Sequence, residues 1–213
     1  MKNNQNIFSD LNKDIGINKS IGIVRSLWNS EITTRLYDGC VNTLIKYGVK
    51  KEYIRTLEVP GSFELIYGAN HLINTPSWET VEIERIDATG KTNKELAQSL
   101  DIDLGTIELD VNKRKILDAV IIIGSIIKGE TPHFDFIAQS ITKGAIDLNI
   151  SSEIPVILCV STDLNIDQAF ERSGGKHSNK GIESALTALK LLQNIQADFT
   201  KHNPMEEDYE EDF

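Results

Sequence analysis

The sequence predicts an α/β protein: a three-layer αβα sandwich around a central, mostly parallel four-stranded sheet. Two observations predict it. Three apolar, β-branched runs, at Ile21 to Val24, Ala119 to Ile127 and Ile154 to Val160, and an alternating apolar and polar run at Tyr53 to Val59, have the composition of strands. Each is followed by a segment whose apolar residues recur at helical spacing. Strands alternating with helices pair in parallel through right-handed crossovers, with helices on both faces. A chain of 213 residues, 40% hydrophobic and 25% charged, is long enough for one such domain with a sizeable core.

Taken in order, residues 1 to 18 read as a polar, flexible arm. After the first strand, Trp28-Asn29-Ser30 breaks the run, and Asn29 or Ser30 is the expected cap of a helix from about Glu31 to Tyr47. Ile32, Leu36, Cys40 and Leu44 form its apolar stripe, and Gly48 ends it. Pro60-Gly61 turns the chain after the second strand, and Ser62 is expected to cap a helix running to about Ile73. From about residue 75 to 115 the texture changes to mixed charge with scattered apolar residues, an inserted surface segment with a capping pattern at Thr92-Asn93-Lys94-Glu95. Helices are then expected from Phe134 to Leu148, Ile166 to Arg172 and Gly181 to about Ile195, the last preceded by a glycine-bearing loop from Gly174 to Asn179. A single domain over 19–197 is followed by an acidic tail, 198–213.

Composition narrows the function classes. The net charge is −10, of which the tail supplies −6, so the rest of the chain carries only −4. No stretch concentrates Lys and Arg as a nucleic-acid footprint would. No apolar run reaches bilayer length, and the polar N-terminus lacks an apolar signal region. Cys40 and Cys159 sit in apolar contexts and form no metal or disulfide pattern, which fits a reducing cytoplasm.

In parallel sheets ligands sit at the carboxyl ends of the strands. Trp28, Gly61 to Glu64, Ser125 to His133 and Leu158 are all expected there, although they are far apart in sequence. Lys128-Gly129-Glu130-Thr131-Pro132-His133 joins a buried strand to a helix. The start of a helix offers unpaired N–H groups and a positive dipole end to an anion, and Lys128 and Thr131 add to it. His133 puts a proton-transfer group beside that anion site. The plainer alternatives are an ordinary turn with a solvated histidine, a core tryptophan at a strand end, and an arginine at 172 held in a structural salt bridge. His71 and His177 read as solvated or structural.

Four ordered motifs, V-R-S-L-W-N (24–29), V-P-G-S-F-E-L (59–65), G-S-I-I-K-G-E-T-P-H-F (124–134), and Q-A-F-E-R (168–172) with N-K-G (179–181), resemble those of the lumazine synthase family from about Ile21 to Leu192. The resemblance fails across 76–114. It implies a flavodoxin-like topology, a homopentamer with sites at subunit interfaces, and no cofactor or metal. By resemblance, Trp28 stacks on a pyrimidine ring, Asn29 meets the ring edge, and Gly61, Ser62, Phe63 and Glu64 hold a ribityl chain. Ser125, Ile126 and Ile127 are further substrate-binding positions. Lys128, Gly129, Glu130, Thr131 and Arg172 surround a phosphate, with Glu130 contributing its backbone N–H. His133 moves protons. Leu158 packs against the ring from a neighbouring subunit, Leu158-Cys159 standing where the family usually has Phe-Gly, and Lys180 matches a family lysine near the pyrimidine side.

The implied reaction condenses 5-amino-6-(D-ribitylamino)uracil with 3,4-dihydroxy-2-butanone 4-phosphate, in riboflavin biosynthesis. Two alternatives stay open: a catalytically weak flavin- or lumazine-binding homologue, or a shell-forming one. A generic nucleotide-binding domain is disfavoured, since neither G-x-G-x-x-G nor G-x-x-x-x-G-K-[ST] follows a strand.

Overall fold

A computed structural model describes residues 7–75, 77–82 and 110–202, with side chains described over 7–75 and 116–202. The elements in order are β1 (Ile21–Ser26), α1 (Ser30–Lys46), β2 (Ile54–Val59), α2 (Leu65–Asn74), β3 (Ser77–Glu82), β4 (Asp110–Lys115), β5 (Ala119–Ile127), α3 (His133–Ser151), β6 (Val156–Asp163), α4 (Ile166–Arg172), β7 (Ser173–Gly175), β8 (Ser178–Asn179) and α5 (Lys180–His202). The central sheet has the order β2-β1-β5-β6 and is parallel throughout.

The alternation of side chains across β5 divides the core. Ala119, Ile121 and Ile123 join Ile21, Ile23 and Cys159 beneath α1 and α5. Val120, Ile122 and Ile126 join Val24, Val156 and Val160 beneath α2 and α3. A strand buried on both faces must be apolar at every position, which is why β5 reads as a continuous hydrophobic run. Gly124 and the buried Ser125 are the exceptions; a Cβ at Gly124 would lie 2.8 Å from both Leu65 Cδ1 and Ser62 Oγ, so its absence lets the Ser62–Leu65 turn settle on the sheet.

α1 presents Ile32, Leu36, Cys40 and Leu44 to the core as its spacing predicts. Its end is a Schellman motif: the Gly48 N–H donates to Ile45 O and the Val49 N–H to Leu44 O, with Gly48 at φ 95°.

Several expectations are corrected. Residues 7–17 of the arm read as flexible lie against α1 and α5: Leu11 and Ile15 are buried, Asp10 pairs with Lys190, and Gly16 N–H donates to Tyr47 O. α2 begins at Leu65 with Glu64, not Ser62, at its cap position, because Ser62 packs over Gly124 and the Glu64 carboxylate closes the turn by accepting from Gly61 N–H at 2.9 Å. The loop expected over 174–179 is the two-stranded hairpin of β7 and β8, and α5 runs on to His202. Within the inserted segment, which forms a compact unit of its own, β3 and β4 pair antiparallel from Ser77 with Lys115 to Glu82 with Asp110. The helix expected after Thr92 and the tail beyond His202 lie outside the described residues.

Candidate active site

The carboxyl ends of the strands are tied into one rim. Leu27 N–H donates to Val59 O at 2.9 Å and Trp28 N–H to Pro60 O at 3.1 Å, joining the ends of β1 and β2. Lys128 N–H donates to Asp163 O at 2.9 Å, joining β5 to β6. Between them Asn29 Nδ2 donates to Ser125 O at 3.0 Å, joining β1 to β5. Asn29 has φ 55° and ψ 45°, a left-handed conformation that asparagine tolerates better than most residues. It stands at the cap of α1 but makes no side-chain cap bond, its amide being spent on the bridge to β5.

That bend turns Trp28 outward. Its side chain is 75% exposed, and Phe63, on the adjoining turn after β2, is 59% exposed. Indole in solvent forfeits a large burial gain, so a core tryptophan is not the explanation. Across the rim, Lys128 to His133 are all exposed and lead into α3, a 19-residue helix that starts at His133. Its first-turn N–H groups and dipole, with Lys128 and Thr131 alongside, form a surface that suits an anion.

Other expected residues lie elsewhere. Ser125 is 3% and Ile126 8% exposed, so they form the foundation of the rim instead of its surface. Ser62 is likewise buried. Leu158 is not at the carboxyl edge: it pairs in register with Ile122, five residues short of Ile127, or about 17 Å at ~3.3 Å per residue. There it lines a cleft of about 330 Å³ on the flank of edge strand β6, with Ile157 and with Lys180, Glu183, Ser184 and Thr187 of α5. Asn179 sets that end of α5: its Oδ1 accepts from Gly181 and Ile182 N–H, and its Nδ2 donates to Arg35 O and Ser173 O. Arg172, half-buried at the end of α4, makes no ion pair with a described residue. His71 stacks on Tyr67 and His177 is exposed on the β7–β8 turn.

The 6,7-dimethyl-8-ribityllumazine synthase family model matches residues 18–89 and 94–196. The similar proteins include three of that name. That of Christiangramia forsetii is 42% identical over 172 residues, covering 81% of this chain and 80% of the relative. That of Flavobacterium johnsoniae is 40% identical over 170 residues, covering 80% and 69%. That of Bacteroides fragilis is 39% identical over 174 residues, covering 82% and 94%. The chain belongs to the lumazine synthase family. The family match enters the inserted segment from both sides and leaves only 90–93 unmatched, so the resemblance does not stop at its borders as the motifs alone suggested.

In this member of the lumazine synthase family, three residues lining the cleft were not among those expected from the sequence: Glu183, Ser184 and Thr187. The signal was present as polar residues spaced with Lys180 at i, i+3, i+4 and i+7, one face of α5. Cys159 lies beneath the same cleft. Burial pushes its thiol up to about 11, against the lowering effects of the Ser184 hydroxyl and the Lys180 ammonium; the Glu183 carboxylate raises it further.

Proposed function

We propose that this chain condenses 5-amino-6-(D-ribitylamino)uracil with 3,4-dihydroxy-2-butanone 4-phosphate to 6,7-dimethyl-8-ribityllumazine, releasing inorganic phosphate and two waters, in the cytoplasm. The observation that carries the reading is the shared rim: an exposed indole and an exposed anion-binding helix start at the ends of adjacent strands. The substrate amine attacks the butanone carbonyl and loses water to form an imine. Phosphate then leaves, and the second ring closes with loss of the other water. Holding the two reactants together supplies most of the acceleration.

Trp28 stacks on the pyrimidine and Asn29 borders it. Gly61, Phe63 and the oxygen of Glu64 not engaged by Gly61 hold the ribityl chain. Lys128, Thr131, Arg172 and the backbone N–H groups of Gly129 and Glu130 hold the phosphate. His133 shuttles protons, a role worth about 10²–10⁴-fold. Ser62, Ser125, Ile126 and Ile127 shape the rim from beneath.

Leu158 and Lys180 reach the ring of a neighbouring subunit, in a homo-oligomer that the family resemblance makes a pentamer. Two features support this. Their cleft lies on the flank of β6, away from the rim of the same chain. The rim exposes the large apolar side chains Leu27, Trp28, Phe63, Leu164 and Ile166, which a second subunit would cover. Mixing purified protein with both substrates and following lumazine fluorescence tests the proposal. Product above the uncatalysed rate is expected, whereas tight lumazine binding without turnover would overturn it.

A further inference from the structure

The cleft on β6 has an apolar wall, Ile157 and Leu158, and a polar wall, the α5 stripe that includes Lys180 and Glu183. Lys180 and Glu183 are opposite charges three residues apart on one helix, close enough to interact. They do not pair with each other, and neither makes an ion pair or side-chain hydrogen bond with any described residue. The Thr187 hydroxyl is occupied, donating to Glu183 O at 2.8 Å. Among the described residues, the cleft therefore has one cationic donor and one anionic acceptor without side-chain partners, lining the same space. Leucine in that wall supplies area but no ring–ring geometry, so it cannot fix how a flat ring turns in its plane. Orientation must come from the polar wall.

We propose that Glu183 is a specificity-determining residue, accepting the imide N–H of the uracil ring while Lys180 donates to the adjacent ring carbonyl. This rests on the proposed reading of the cleft as the ring-facing half of the site. A uracil edge alternates carbonyl, N–H and carbonyl, so neighbouring cationic and carboxylate groups match two consecutive positions. Pairing one charged acceptor with one ring N–H also rejects rings that lack that hydrogen, because the carboxylate then faces no donor.

The test is equilibrium binding of 6-(ribitylamino)uracil, which lacks the reacting amine, to the full-length protein in its native assembly. Glu183 is exposed on α5, so its replacement leaves the core untouched. Glu183→Leu is expected to weaken binding about 10- to 100-fold, and Glu183→Gln, whose amide oxygen still accepts, only a few-fold. Methylating the ring imide nitrogen should weaken binding to the unaltered protein by a similar factor, yet add little in Glu183→Leu. Equal binding of the methylated and unmethylated rings by the unaltered protein would overturn the assignment, as would an undiminished methyl penalty in Glu183→Leu. Ring binding that responds as expected, with no lumazine formed from the two substrates, would contradict the proposed activity while sustaining the role of Glu183.

Discussion

Asn29 shows how single residues shape this site. A left-handed asparagine costs backbone energy, on the order of 1 kcal/mol, and its amide gives up a cap to reach Ser125 O. The return is a fixed aim for Trp28. The sequence placed Trp28 after a strand and His133 at a helix start because both are visible as changes of hydrophobic period. It misplaced Leu158 because position along a strand depends on register, and a single sequence does not state which residues lie opposite. His133, exposed at the start of α3, is free to move protons without supporting the fold. His133→Ala is therefore expected to lower kcat about 10²–10⁴-fold with ring affinity unchanged, read from single-turnover rates and a binding titration. A loss of ring binding instead would contradict its role. Cys159 gives a prediction of another kind. The unfolded chain ionises this thiol above 9.0, while the folded chain keeps it neutral up to about 11. Its contribution to stability is thus kept below pH 9.0 and lost as the pH rises toward 11. Urea midpoints across that window should fall more in the natural protein than in Cys159→Ala; equal falls would show that the thiol contributes nothing.

Among the elements, α5 carries the most information that spacing alone concealed. The Asn179-Lys180-Gly181 start looked like a family signature, yet two of its three residues act on the fold. Asn179 satisfies the first turn of α5 and two carbonyls outside it. Gly181 lets α5 meet α1, since a Cβ there would lie 1.8 Å from Leu36 O. Lys180 is thereby held at a fixed place on the cleft. Gly181→Ala must push backbone against backbone and is expected to cost about 1–3 kcal/mol or more, measured by denaturant titration. A change below about 0.5 kcal/mol, the ordinary surface value, would contradict the close packing. Helix existence was legible from the apolar period of α1, α3 and α5. The start of α2 was not, because Ser62 had two possible tasks, capping or packing over Gly124, and only the third dimension chooses between them.

At the scale of the molecule, strand–helix alternation determined the parallel sheet, and four matching stretches indicated the family. The arm was the main misreading: Leu11 and Ile15 are too widely spaced among polar residues to announce a buried segment. The segment 76–116 forms its own compact unit, while the sheet, both cores and the proposed site residues belong to the other unit. Replacing 76–116 with a short Gly/Ser linker is expected to leave a folded chain that still forms lumazine; a folded chain that no longer does so would place part of the site in that segment. The central claim is that the exposed indole at the end of β1 is the platform for the reacting ring. Trp28 and Trp78 are the two tryptophans of the chain, so Trp78→Phe leaves Trp28 as the sole indole reporter. Titrating that variant with 6,7-dimethyl-8-ribityllumazine should quench its emission saturably as the ring stacks. Unchanged Trp28 emission while the same preparation forms lumazine would contradict the account.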